Sequence, residues 1–217
     1  MRYKNTKKGK FISRQNRFIA HVEVDGKPIV CHVKNTGRLR ELLYPGAEVV
    51  LEESNNPNRK TKYDLISVYK EKLGWVNIDS QATNIVTLEW LKKQGFSYIK
   101  KEYTYGDSRI DFYMEKEDEK FLMEVKGCTL EIDGVGYFPD APSLRAVRHL
   151  KELIRAVDEG YHGIAAFVIA MEGVEKVLPN MNTHPEFGET LAEAEKSGVE
   201  IWYLPCRVTE DTLEIVT

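Results

Sequence analysis

The sequence predicts two domains of different class, a small β-barrel over residues 1–78 and a mixed-sheet domain of the α+β or α/β class over residues 79–217. The first observation is an uneven charge: residues 1–78 carry 16 Lys and Arg against 8 Asp and Glu, whereas residues 79–217 carry 15 against 26. The second is a change of rhythm, from alternating apolar residues in the first part to strands and helices in turn in the second.

The first domain is predicted to consist of short strands. Apolar residues alternate with polar ones near residues 18–24, 29–33, 47–51 and 63–69. Turn signals separate these segments, namely Asp25-Gly26, Pro45-Gly46 and the polar loop 54–60, and only residues 39–43 have a helical pattern. Four or five short strands around one helical turn favour a barrel of the OB type, which commonly binds oligonucleotides.

The second domain is predicted to alternate strands with three helices. The first helix covers about residues 81–94, with Asp79 or Ser80 as its cap and Gly95 as its stop. The second begins after Ser143 and ends before Gly160, and the third has Pro185 in its first turn. Strands near residues 110–114, 121–126, 164–171 and 199–204 complete a mixed sheet.

Composition also predicts a partner and a compartment. Seven Lys and Arg lie within residues 1–17, before any acidic residue, which indicates a polyanion partner or else a solvated basic terminus. The longest apolar run, residues 164–171, is too short to span a membrane, and the N-terminus lacks the apolar core of a secretory signal. Three widely spaced cysteines fit reduced thiols, so we expect a cytoplasmic protein without a membrane partner.

The most informative segment is a predicted hairpin formed by residues 109–114 and 121–126. With Glu115 opposite Lys120, the register places Asp111 opposite Glu124, and Lys126 follows on the same face as Glu124. Two carboxylates held side by side repel each other, unless a divalent cation such as Mg²⁺ or Mn²⁺ lies between them.

This acid pair predicts metal-assisted hydrolysis of a phosphodiester. Asp111 and Glu124 would hold the metal, and Lys126 would orient or deprotonate a water or offset charge on a phosphate. The alternative is a surface hairpin whose charges are merely solvated, because acid pairs with this spacing also arise by chance.

The helix after Ser143 carries a second set of candidates. Arg145 and Arg148 lie on a basic stripe that would contact phosphates, with an ordinary solvent face as the alternative. Asp140, just before the helix, would add a carboxylate. We expect His149 to be an ordinary surface histidine, and Leu144 and Val147 to face the core.

The ordered motifs resemble those of the sugar fermentation stimulation protein A family over nearly the whole chain. The matching segments are Arg17-Phe18-Ile19-Ala20, His32-Val33-Lys34-Asn35-Thr36-Gly37-Arg38-Leu39, Leu43-Tyr44-Pro45-Gly46, Asn56-Pro57-Asn58-Arg59-Lys60-Thr61, Ser108-Arg109-Ile110-Asp111-Phe112, Glu124-Val125-Lys126-Gly127-Cys128-Thr129-Leu130 and Phe138-Pro139-Asp140-Ala141. Two segments depart from the family pattern: Arg145-Ala146-Val147-Arg148-His149, where the family more often has Arg-Gly-x-Lys-His, and His184, where Asp usually precedes the proline.

The resemblance implies an OB-like domain followed by a domain like the PD-(D/E)XK nucleases. It implies largely sequence-nonspecific DNA binding and a role in regulating sugar (maltose) metabolism genes. Asp111, Glu124 and Lys126 match the nuclease-like motif. The expected DNA contacts in the first domain are Arg17, Arg38 in the 35–38 turn, and Arg59 with Lys60 on the 54–60 loop.

Three functions stay open on the sequence alone. The first is a DNA-binding protein with a metal-dependent nuclease site that uses Mg²⁺ or Mn²⁺, and the second is a noncatalytic DNA-binding regulator. The third is an RNA-binding or RNA-processing protein. No helix-turn-helix pattern supports sequence-specific reading of the major groove. The sequence does not decide whether the protein is an enzyme, and a homodimer is left open.

Overall fold

A computed structural model describes residues 1–216 of the chain. The strands are β1 (Thr6–Asn16), β2 (Ile19–Val24), β3 (Lys27–Val33), β4 (Glu48–Glu53), β5 (Tyr63–Lys70), β6 (Gly74–Asn77), β7 (Tyr98–Tyr105), β8 (Ser108–Lys116), β9 (Glu119–Cys128), β10 (Leu130–Ile132), β11 (Val135–Phe138), β12 (His162–Ile169), β13 (Val177–Pro179), β14 (Glu200–Val208) and β15 (Leu213–Ile215). The helices are α1 (Ala82–Leu91), α2 (Leu144–Asp158) and α3 (Pro185–Lys196).

The first six strands form the expected barrel. Their order is β3-β2-β1-β4-β5-β6, and a parallel pairing of β3 with β5 closes five of them into an OB-like barrel. Inward-facing residues such as Ala20, Val22 and Cys31 are fully buried, as the alternation predicts. The expected helical turn at residues 39–43 is present as a single turn, in which the Leu43 N–H donates to the carbonyl of Leu39, four residues earlier, at 2.8 Å.

The basic terminus is a strand rather than a solvated tail. β1 pairs with β2 on one side and with β4 on the other. The sequence pattern does not reveal β1 as a strand, because Phe11 is the only buried residue in it and no alternation of apolar and polar residues results. Residues 1–3, which precede β1, pack on the second domain. Tyr3 is buried there, and Arg2 forms an isolated antiparallel β-bridge with Thr212.

The second domain is a mixed sheet in the order β15-β14-β12-β9-β8-β7, and the predicted fold class is therefore confirmed. β7, β8 and β9 are antiparallel, whereas β12 runs parallel to both β9 and β14. α1 covers one face of the sheet and α2 with α3 covers the other, so the central strands are buried on both faces. Ser143 caps α2 by accepting the N–H of Ala146, as expected.

A chain of charges fixes the barrel to the second domain. Asp64 of β5 accepts two hydrogen bonds from Arg59, at 2.8 and 2.5 Å, and one from His32. Lys34 lies 3.6 Å from Asp64 and 2.6 Å from Asp79, at the entrance to α1. The hydroxyl of Tyr3 donates to the same oxygen of Asp79, Oδ2, at 3.3 Å. The connection between the domains is thus held by buried charge as well as by backbone hydrogen bonds.

Asp64→Asn is expected to destabilise the protein by about 3 kcal/mol, because it leaves Arg59 without its buried anion and removes one of the two acids beside Lys34. Burial alone would raise the pKa of Asp64, but Arg59, Lys34 and His32 outweigh burial and hold it below 3.8. The stabilisation is therefore complete at neutral pH and is lost as pH falls through this lowered pKa.

Urea unfolding of the wild type and of Asp64→Asn at pH 7 and pH 3 measures this difference. Asp25→Asn is the matched control, because Asp25 lies exposed in a turn with φ of 52°, which Asn tolerates. Equal stabilities of Asp64→Asn and Asp25→Asn at pH 7 would show that the charge chain contributes nothing.

Candidate functional site

The predicted hairpin register is confirmed as far as the pair Phe112–Met123. Lys116 also pairs with Glu119, so the turn is tighter than expected, with only residues 117 and 118 between the paired strands. Backbone pairing then stops one step before Asp111 and Glu124. Instead, the Asp111 carboxylate accepts the N–H of Val125 at 2.8 Å and the side-chain amide of Asn84 at 2.8 Å. Asp111 is thereby fixed against β9 and α1.

Glu124 is buried at the centre of the sheet, with 3% of its surface exposed. One oxygen, Oε1, accepts hydrogen bonds from the ammonium of Lys126 and from Nδ1 of His149. The other oxygen, Oε2, is buried and has no hydrogen-bond partner among residues 1–216. Buried carboxylate oxygens normally have a partner, so Oε2 keeps the capacity to accept one more.

His149 is the residue that the sequence analysis misjudged. Only 1% of its surface is exposed, and its Nε2 accepts a hydrogen bond from Nε of Arg145 at 3.3 Å. Because Arg is only a donor, Nδ1 must carry the proton that His149 donates to Glu124. Leu144, expected in the core, is instead 74% exposed. The buried residues of α2 form the stripe Ala146, Val147, His149, Leu150, Leu153 and Ala156. His149 fits this helical spacing once alanine is counted as a core residue.

The two acids have opposite electrostatic surroundings. Burial raises the pKa of Asp111, and the negative charge of Glu124 raises it further. Burial also acts to raise the pKa of Glu124, but the charge of Lys126 and the hydrogen bond from His149 lower it below its usual range. The effect of the Glu124 charge on Asp111, together with their place on the same cavity, indicates that the carboxylates are near neighbours, as the register predicts.

These groups line a cavity of about 400 Å³ between the barrel and the mixed sheet. Asp111, Glu124 and Lys126 contribute from the sheet, and Arg145 contributes from α2. The barrel contributes Arg17 and the 35–38 turn. The lining residues from the barrel and the linker are Arg17, Asn35, Thr36, Gly37, Asn77, Ile78, Asp79 and Ser80. The cavity is thus built by both domains.

The expected DNA contacts occupy different environments. Arg17, Arg38, Arg145 and Arg148 are exposed, as is Lys60 on the barrel loop. Arg59 is held by Asp64, which gives it a structural role in anchoring the 54–60 loop.

Two further residues beside the cavity also have structural partners. Asp140 accepts the N–H of Leu39 at 2.9 Å, so one of its oxygens joins the two domains. His184 accepts the N–H of Ser143 and so supports the start of α2.

The donor set fits a hard divalent cation held by few protein ligands. Within residues 1–216, no cluster of three or more His, Cys, Asp or Glu has the arrangement of a metal site. Mg²⁺, however, typically uses one or two carboxylates and keeps several waters. Asp111 together with the unpaired Oε2 of Glu124 meets that need, whereas His149 and Lys126 already occupy Oε1 as donors.

Comparison with known proteins identifies both halves of the chain. Residues 12–78 match the family model described as the SfsA N-terminal OB domain, and residues 80–212 match the sugar fermentation stimulation protein RE domain. The chain belongs to the sugar fermentation stimulation protein (SfsA) family. The resemblance noted in the sequence is therefore confirmed, although the exact boundary at residues 78 and 79 stays a prediction.

Relatives within the SfsA family match over almost their whole length. A sugar fermentation stimulation protein homolog of Desulfitobacterium hafniense is 52% identical over 99% of this chain and 95% of its own. One from Clostridium beijerinckii is 50% identical over 99% and 96%. The solved structure of Pyrococcus furiosus SfsA in complex with Ca²⁺ has a TM-score of 0.88 at 28% identity, over 99% of this chain and 96% of that one. These matches do not support the homodimer that the sequence left open.

Membrane insertion through a helix finds no support in the structure. Among residues 1–216, none of the three helices has the length and apolar character needed to cross a bilayer.

His149→Ala is expected to lower stability by about 1–3 kcal/mol, because the change leaves Oε1 of Glu124 with one donor fewer in a buried position. Arg148→Ala, one residue away on the exposed face of α2, is the matched control and should change stability by less than about 0.5 kcal/mol. Chemical denaturation measures both variants, and equal effects would contradict the assigned role of His149.

Proposed function

We propose that this SfsA-family protein is a largely sequence-nonspecific DNA-binding protein whose second domain hydrolyses phosphodiester bonds with Mg²⁺ or Mn²⁺. The observation that carries the proposal is the unpaired, buried Oε2 of Glu124 beside Asp111. A hard cation would satisfy that oxygen and reduce the repulsion between the two carboxylates. The Ca²⁺ complex of the Pyrococcus furiosus relative supports a divalent-cation site in this family.

The proposed roles follow from the contacts of each side chain. Asp111 is oriented by Asn84 and the Val125 N–H, and Glu124 is oriented by His149. When bound, the cation would supply Lewis-acid polarisation of the phosphate and activation of a water. Lys126 lines the cavity and would orient that water or offset charge on the phosphate. His149 touches no substrate in this scheme and acts by positioning Glu124.

DNA binding is proposed from exposed basic residues of both domains, of which Arg17 and Arg145 line the cavity. Arg17, Arg38, Arg145, Arg148 and Lys60 would contact phosphates. Such contacts carry no base information, which fits binding without sequence preference. RNA carries the same phosphate backbone and stays open as a partner. Because Cys31, Cys128 and Cys206 are free thiols, we also propose a reducing, cytoplasmic compartment.

The second candidate is a noncatalytic DNA-binding regulator of sugar (maltose) metabolism genes. One observation favours it: Lys126 already compensates the charge of Glu124 and His149 donates a hydrogen bond to it, so the acid can persist in the fold without a cation. This candidate shares the DNA contacts with the first and differs in predicting that no strand is cut.

Cleavage of labelled DNA and RNA with Mg²⁺, Mn²⁺ or EDTA separates the two candidates. The nuclease proposal predicts metal-dependent cutting that falls at least about 100-fold in Glu124→Gln and in Lys126→Ala. Glu119→Gln removes an exposed carboxylate from the same strand and should cut normally. Binding without cutting in all metals would refute the nuclease and support the regulator.

A further inference from the structure

The reacting groups of the proposed site lie at the bottom of a cleft rather than on an open surface. Glu124 is 3% exposed, and the side chain of Lys126 is 15% exposed. Arg17 and residues 35–37 of the barrel line the same cavity as Asp111 and Glu124. We call Arg17 and residues 35–37 the roof. A phosphate that reaches the carboxylates therefore enters a cavity bounded by both the roof and the sheet.

The roof is fixed in place, so it does not behave as a lid. The guanidinium of Arg14 donates to four carbonyls, those of Arg17, Asn35, Gly37 and Arg38, at 2.6–3.0 Å. Asn35 also donates to the carbonyl of Ile78 at 2.9 Å in the linker. From the second domain, Asp140 accepts the N–H of Leu39. Each contact ties the turn to a different part of the chain, and opening the roof would break all of them.

A second cavity, of about 280 Å³, lies beside the first. It shares Arg17, Thr36, Gly37 and Ala141 with the first cavity. Its charged lining residues are all arginines, namely Arg14, Arg17, Arg38 and Arg40. Arg14 is occupied by the roof, whereas Arg17, Arg38 and Arg40 are exposed and available to a polyanion. Because Arg17 lines both cavities, exposed arginines extend from the barrel surface to the lining of the cavity that contains the acid pair.

We propose that the substrate is an unpaired strand of nucleic acid, threaded past Arg17, Arg38 and Arg40 beneath the roof to Asp111 and Glu124. A duplex is a stiff rod with its phosphates on the outside, so it cannot bring a phosphate into a recess of this size under a fixed roof. A single strand bends and enters, and the cavity has the volume of a pocket for one small-molecule-sized unit. The exposed ring of Phe18, next to Arg17, offers a surface on which a base stacks.

This inference rests on the proposed function for the identity of the reacting groups, but binding tests it without catalysis. In EDTA, a fluorescent 12-nucleotide single strand should bind the full-length protein at least about tenfold more tightly than a 12-base-pair blunt hairpin. Arg17→Ala and Arg38→Ala should each weaken single-strand binding about tenfold. Arg207→Ala, an exposed arginine that lines neither cavity, should leave it unchanged.

Cleavage and crosslinking then separate the outcomes. In Mn²⁺, a hairpin with a single-stranded tail should be cut only in the tail, and a 4-thiothymidine strand should crosslink to peptides containing residues 35–40. Tight single-strand binding without any cleavage would refute the proposed nuclease activity, and it would support the proposed path of the single strand. Equal cleavage of tail and duplex, or equal binding of the single strand and the blunt hairpin, would overturn the proposed path of the single strand. The proposed nuclease activity would be unaffected. Absence of binding to either probe would overturn both.

Discussion

Glu124 is a buried carboxylate whose two oxygens have different surroundings, and the arrangement of the second domain depends on that difference. The ammonium of Lys126 and the imidazole of His149 donate to one oxygen, and the other has no hydrogen-bond partner in the described part of the chain, residues 1–216. An unpaired buried oxygen of this kind costs about 1–3 kcal/mol. The fold tolerates this cost on the central strand, directly beside a second acid. A bound cation would remove the cost, which connects the packing of the sheet to the proposed chemistry.

The two domains make the site together because their connection is rigid. Lys34 of the barrel reaches Asp79 of the linker, and β6 continues into the second sheet through a bridge between Val76 and Met171. This connection holds the barrel turn at the cavity that contains the acid pair. The barrel therefore forms part of the cavity wall, and under our proposal it selects the shape of the nucleic acid that reaches the carboxylates.

The structural features that the sequence predicts correctly depend on residues close together in the chain. The alternation in β2 and β3, the Ser143 cap of α2 and the hairpin register around Phe112 are short-range signals, and the structure bears them out. The sequence does not predict those strands and buried residues that are determined by contacts between distant parts of the chain. β1 is rich in lysine and has only Phe11 fully buried, and β7 was missed because most of its side chains are exposed. His149 was misjudged because its burial depends on Glu124, which lies 25 residues earlier in the chain.

Anomalous diffraction from crystals of the protein grown with saturating Mn²⁺ tests the central claim most directly. The account predicts a peak between Asp111 and Glu124, with Oε2 of Glu124 among the ligands and with His149 still bonded to Oε1. It would be contradicted by a site without such a peak, or by Oε2 bonded to a protein donor in its place.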